Sequence, residues 1–292
     1  VSHIDEAVEK GWIEVYYQPI VRAMTSELCS FEALARFHDP KRGLLPPADF
    51  IEPLEQAQKI YKVDLAVIQQ VCAMLEEHRK ENLEVVPISV NLSRVDFFAV
   101  DIFSEVEKII HKHHIPRQYL HIEVTESALV SHQDKILSSL DLFRQAGYEI
   151  WMDDFGNAYS TLSLLKNYTF DLIKIDMSFL RNETPQGRSI IASIIAMAKR
   201  IGNRTLCEGV ETKDQLEFLR KAGVDKIQGY YFGKPLPYEE SLQHCLSEGI
   251  GIELLRTKSY YDSLQTVNFQ SDIPFMILEF SEGHYHVLFL SD

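Results

Sequence analysis

The sequence predicts an α/β fold, a TIM-like (β/α)8 barrel whose first strand runs antiparallel to the rest, on three observations. Eight β-like runs follow one another, helical patterns separate them from the second run onward, and only the hexapeptide RAMTSE joins the first run to the second. Alternating strands and helices imply a parallel sheet covered by helices, and eight such strands suit a closed barrel. A parallel crossover needs roughly a dozen residues or more. The short first connection therefore requires a hairpin.

In chain order, WIEVYYQPIV and LCSFEALARF form that hairpin, and VVPISVNLS, YLHIEVTES, YEIWMDD, FDLIKID, RTLCEGVE and DKIQGYYF supply the other strands. Between them VDLAVIQQVCAMLEEH, ILSSLDLFRQAG, SIIASIIAMAKRIG and DQLEFLRKAG carry apolar residues at three- and four-residue spacing. The last three close on glycine, which readily takes the left-handed conformation that ends a helix. Residues 1–247 are expected to form the barrel. Residues 248–292 form a C-terminal extension in which IPFMILEF and HYHVLFLSD read as two apolar strands around a turn containing Gly283. Two strands cannot bury themselves alone. Because the chain opens at Val1 and stops within apolar material, the extension is expected to be the start of a further domain.

At 46% hydrophobic and 25% charged residues, the composition is that of a soluble enzyme with a full core. No apolar run reaches the roughly 18 residues of a membrane helix, and the N-terminus lacks a signal-peptide pattern. Cys29, Cys72, Cys207 and Cys245 lie far apart without CxxC spacing and read as reduced core thiols, which favours the cytoplasm. A net charge of −14 argues against binding a nucleic-acid polymer. A small anionic ligand remains compatible if the site supplies its own positive charge.

In a parallel barrel the site lies at the C-terminal ends of the strands. The runs finish with Glu32, Asn91, Glu123, Asp153 and Asp154, Lys174 and Asp176, Glu208 and Glu211, and Gln228. One such residue alone reads as a turn former or helix cap. A succession of acids and amides points to a shared task. Converging carboxylates repel one another and take up protons unless cations neutralise them, and oxygen donors suit Mg2+ or Mn2+ where zinc would recruit histidine or cysteine. Asp153 can then bridge two ions while Asp154 reaches the second. Two such ions, about 4 Å apart, would activate a water for in-line attack on a phosphodiester.

The ordered set FEALARF, VNLS, IEVTES, WMDDFGNAYS, FDLIKID, CEGVET and QGYYFGKP resembles the EAL-domain phosphodiesterases of bacterial cyclic di-GMP signalling, over roughly residues 1–247. The resemblance implies a barrel with one antiparallel strand and hydrolysis of cyclic di-GMP to linear pGpG with two Mg2+ or Mn2+ ions. It implies Glu32, Asn91, Glu123 and Asp153 on one metal, and Asp153, Asp154 and Glu208 on the other. Lys174 would orient or activate the water with Glu208 and Glu211 as further catalytic residues, and Gln228 would bind substrate and, with Glu211, complete the hydrogen-bond network. Leu34 and Arg36 would meet the substrate, Arg36 at a phosphate, and Gln18 would lie at the guanine-bearing end. Glu126 would anchor the loop after Asp154. A homodimer through YSTLSLLKNYTF, and sensory or GGDEF-type domains in the same full-length protein, are also implied. Ala158 departs from the family's usual glycine, and Asn157 stands where a small residue is common. If that position needs positive φ, alanine costs about 1 kcal/mol.

Plainer readings exist for several of these residues. Arg36 can pair with Asp39, Gln18 can satisfy strand backbone, Glu126 can cap a helix, and Leu162, Leu164 and Leu165 can be core. Tyr230, Tyr231 and Phe232 read as core aromatics. Lys174 on chemistry alone could be the Schiff-base lysine of a barrel aldolase, which leaves the acids unexplained. The rival from another class is a catalytically silent domain that binds cyclic di-GMP and passes the signal on. Such members commonly lose metal ligands, and none is missing here.

Overall fold

A computed structural model describes residues 3–130, 133–156, 164–166, 168–176, 184–264, 267, 269, 273–281 and 283–291. The strands are β1 (Ile13–Arg22), β2 (Leu28–Asp39), β3 (Gly43–Leu45), β4 (Ile88–Asn91), β5 (Leu120–Thr125) and β6 (Glu149–Asp153). They continue with β7 (Leu172–Asp176), β8 (Arg204–Glu208), β9 (Lys226–Gln228), β10 (Met276–Ser281) and β11 (His284–Leu290). β1 pairs antiparallel with β2 and with β9, and the pairs from β2 through β4 to β9 are parallel, so the sheet closes on itself. This is an eight-stranded barrel with its first strand antiparallel, and the short β3 pairs with the outer end of β2.

Strand alternation sorts each side chain to one face. The outward faces, with Phe31, Ile88, Val90, Ile122, Ile150 and Ile173, join the apolar stripes of the covering helices in one core. The inward face reads as three layers. Glu149, Trp151 and Asp153 climb β6, Arg204, Leu206 and Glu208 climb β8, and on the reversed β1 the order is Arg22, Ile20, Gln18. Ile20, Cys29, Trp151, Leu172 and Leu206 form a separate small apolar cluster between a charged base and a polar mouth.

Three expected strands are shorter than their apolar runs, for local reasons. VVPISVNLS is strand only over Ile88–Asn91, after Pro87. RTLCEGVE stops at Glu208, before Gly209 turns at φ 70°. DKIQGYYF stops at Gln228, where a Cβ on Gly229 would lie 2.1 Å from the Val210 carbonyl oxygen. The helices Ile102–His113 and Leu255–Ser263 have no counterpart in the sequence reading. All four cysteines are buried and unpaired.

Past the barrel's last helix, Tyr238–Ser247, the chain returns to the base. Ile252 bridges Leu28 in parallel, and the helix Leu255–Ser263 carries ion-pairing side chains to the charged inner layer. The β10–β11 hairpin follows, with Gly283 in its turn at φ 82°. One of its faces pairs Met276 with Leu290, Leu278 with Val287 and Phe280 with Tyr285, all exposed.

Candidate functional site

Alternation brings the acidic residues of separate strands into the barrel mouth at adjoining register: Gln18 opposite Glu32, Asn91 beside Glu123, Thr125 beside Asp153, Asp176 beside Glu208. At the centre stands Lys174, only 1% exposed. Its ammonium lies 2.7 Å from Glu123, 2.7 Å from Glu208, 3.4 Å from Glu32 and 3.6 Å from Asp153. One cation thus faces four carboxylates, and their combined field holds the lysine well above its ordinary pKa against the cost of burial.

The carboxylates are not equivalent. Burial pushes Glu32 upward, but Lys174 and the donated N–H groups of Gln228 at 2.7 Å and Asn91 at 3.0 Å outweigh it and hold the group below the usual range. Glu123 is fully buried, its Oε1 has no hydrogen-bond partner, and burial with the repulsion of Glu32 and Asp153 pushes it up to about 8 despite Lys174. Burial likewise raises Glu208 well above the normal carboxylate range.

The two adjacent aspartates are accommodated by a turn. Asp154 takes φ 59°, a left-handed conformation that aspartate adopts more readily than most residues, and its N–H donates to Asp153 Oδ1 at 2.8 Å. Behind the turn Phe155 N–H donates to the Lys174 carbonyl at 3.2 Å. Gly156 N–H donates to the buried Glu126 carboxylate at 2.9 Å. Asn157, Ala158 and Leu162 lie outside the described residues. Leu164 and Leu165 pack in or against the core.

Of the remaining expected site residues, Gln228 donates to Glu32 and to Gln18 Oε1 at 3.2 Å, while Gln228 Oε1 is buried without a partner. Gln18 also donates to the Gly233 carbonyl at 3.4 Å. Glu211 is exposed, and its N–H bonds to Gln215 in the capping box of the helix Lys213–Ala222. It is not brought to Lys174. Leu34 and Arg36 line a cavity of ≈ 720 Å³ that also reaches Asn91, Ser93 and Thr125. The Asp39 alternative for Arg36 is not realised: Asp39 accepts the Lys41 and Arg42 N–H groups instead. The Arg36 guanidinium lies 5.2 Å from the Tyr16 ring centroid and has no carboxylate partner among the described residues.

The reading of Tyr230 and Tyr231 as core is corrected. They are 57% and 41% exposed, because the chain folds back at Gly229, and only Phe232 is buried. Sequence reasoning missed this aromatic edge, since an apolar run gives no sign of where its strand stops.

Among the described residues no group of three or more His, Cys, Asp or Glu is spaced to hold a metal ion as it stands. The donor set nonetheless fits one chemically: four carboxylates exceed one ammonium, and Glu123 Oε1 is an orphaned acceptor pointing at no proton.

The family model described as EAL domain matches residues 2–235. The chain belongs to the EAL domain family. This EAL domain is 36% identical over 239 residues to the oxygen sensor protein DosP of Escherichia coli, covering 81% of this chain and 30% of that protein. It is 32% identical over 238 residues to the cyclic di-GMP phosphodiesterase PdeR of the same species, covering 81% and 36%. The chain therefore spans about a third of the length of these curated relatives. The solved structure of PaMucR phosphodiesterase in complex with c-di-GMP superposes with a TM-score of 0.76 at 29% identity, covering 82% of this chain and 98% of that one. The FimX EAL domain of Pseudomonas aeruginosa bound to c-di-GMP matches in fold, with a TM-score of 0.74, 23% identity and coverage of 80% and 95%. Among the described residues of the EAL domain and its extension, no helix is long and apolar enough to cross a membrane.

Proposed function

We propose that this EAL domain hydrolyses cyclic di-GMP to linear pGpG with two Mg2+ or Mn2+ ions. The observation that carries the reading is the ring of four inward carboxylates around Lys174, with Glu123 left half unpaired, opening beside a cavity of ≈ 720 Å³. Glu32, Asn91, Glu123 and Asp153 would hold one ion, and Asp153, Asp154 and Glu208 the other. Bound there, the ions would supply an activated water and neutralise charge on the phosphodiester.

The chain's own groups do the rest. Asn91 and Gln228 fix both oxygens of Glu32 through their amide donors, so this carboxylate has one orientation. The Glu126 bond to Gly156 sets the loop that carries Asp154. Arg36, half-buried and without a carboxylate partner among the described residues, offers its guanidinium to a phosphate oxygen, where a planar donor binds in bidentate fashion. Leu34 supplies an apolar wall beside it. Lys174 holds a proton firmly and so orients a nucleophile by donating to it rather than by accepting its proton.

A second reading, a silent cyclic di-GMP receptor, is favoured by one observation: among the described residues no trio of acids is spaced for an ion as it stands. Incubation of the protein with cyclic di-GMP and Mg2+ or Mn2+, followed by chromatography, decides between them. Appearance of pGpG, abolished by EDTA, supports the enzyme. Calorimetric binding without product in saturating metal means a receptor.

A further inference from the structure

The barrel's charged base is closed by residues outside the span matched by the family model, and its wiring is specific. Glu253 takes both Arg22 Nε and Nη2 at 2.7 Å, a bidentate pair at the base of β1. Asp262 takes Arg22 Nη1 at 2.9 Å with Oδ1 and Arg204 Nη1 at 2.6 Å with Oδ2, so one carboxylate spans the bases of β1 and β8. Arg204 reaches on to Glu149 at 2.8 Å, at the base of β6, and Lys258 pairs with both Glu149 and Asp262. Tyr261 donates to Glu279 of the β10–β11 hairpin at 2.6 Å.

These contacts fall on chosen strands. Arg22, Glu149 and Arg204 share an inward strand face with Gln18, Asp153 and Glu208, each four residues away and thus about 13 Å along an extended strand. A strand is stiff along its axis, and its register is locked by its neighbours, so a shift at the base reappears at the mouth. Glu149 also faces buried His121 at the base of β5, 3.7 Å away, whereas the base of β4 receives none of these contacts among the described residues.

We propose that Asp262, with Lys258, is a positioning residue for the site at the opposite end of the barrel, holding β1, β6 and β8 in the register that presents Gln18, Asp153 and Glu208. The strap of residues 252–263 thereby joins the hairpin to the mouth of the barrel, through Tyr261 and Glu279 at one end and three strand bases at the other. This deepens the phosphodiesterase reading and rests on it for its kinetic consequence, though not for its mechanical one.

The decisive measurement is hydrogen exchange on the full chain, together with kcat and KM for cyclic di-GMP, in Asp262→Ala, Asp262→Glu and Lys258→Ala. Asp262→Ala leaves Arg22 paired with Glu253 and Arg204 paired with Glu149, so the fold persists. It should speed exchange in β1, β6 and β8 about tenfold, leave β4 unchanged, and lower kcat about tenfold at constant KM. Asp262→Glu should restore both. Lys258→Ala should act more weakly and on β6 alone, and it carries the test if Asp262→Ala fails to fold. Faster exchange confined to residues 250–264, a uniform rise across all strands, or an unchanged kcat with normal wild-type turnover would overturn the proposal. If the wild type yields no pGpG, the phosphodiesterase reading falls, and the strand-selective exchange still decides the strap's role.

Discussion

Glu32 and Glu123 face one ammonium from two strands, yet their surroundings give them opposite effects on stability. Glu32 receives two amide donors, whereas Glu123 has one oxygen with no donor among the described residues. In the metal-free protein Glu32→Ala should therefore lower the melting temperature and Glu123→Gln should raise it, as calorimetry in EDTA would register, although both substitutions remove a proposed ligand and should abolish pGpG release. The pH dependence has a definite sign. A carboxyl raised from about 4.5 unfolded to about 8 folded binds its proton more tightly in the folded state. Its stabilising contribution is complete below about pH 4.5 and is lost as pH rises through about 8, so the metal-free melting temperature should decline across that window and the decline should flatten in Glu123→Gln. An equal slope in both proteins would count against the assignment.

At the scale of the element, the contact between the ends of β8 and β9 is the most restrictive. A Cβ on Gly229 would meet the Val210 carbonyl oxygen at 2.1 Å and its nitrogen at 2.3 Å, and backbone atoms cannot step aside as a side chain does. Gly229→Ala should cost about 1–3 kcal/mol, several degrees in melting temperature, and displace Gln228 and Tyr230 with it. A thermal scan beside the wild type checks this. The strand pattern was legible in the sequence because alternation and short apolar runs are local, and RAMTSE could only be a hairpin. Asn91, Glu123, Asp153, Lys174, Glu208 and Gln228 were legible as a group because each sits at or near the C-terminal end of its strand, whereas Glu32 lies mid-way along β2, which runs on to Asp39. Two things were not legible. Which acid would be paired and which orphaned depends on donors from other strands. The strap depends on contacts such as Arg22 with Glu253, which lie 231 positions apart and leave no local pattern.

For the molecule as a whole, the chain carries a net charge of −14, and at the mouth four carboxylates face one ammonium where a cation would bind. Binding only to the folded state stabilises by mass action, so Mg2+ or Mn2+ at about a hundred times its dissociation constant should add roughly 2.7 kcal/mol, or several degrees. The gain should grow with pH, because ions and protons compete for the same carboxylates. No shift in melting temperature with either metal would remove the two-ion reading. The antiparallel first strand has a further consequence, for how the chain is made. β1 can zip to β2 as soon as both have left the ribosome, since their pairing is local. Its other neighbour, β9, pairs Gln228 with Ile20 and is synthesised roughly 200 residues later, some 10–40 s at about 5–20 residues per second. Throughout that interval the outer edge of β1 is an unpaired hydrogen-bonding strand, open to pairing with other chains, and ring closure waits on the last strand of the barrel to be translated.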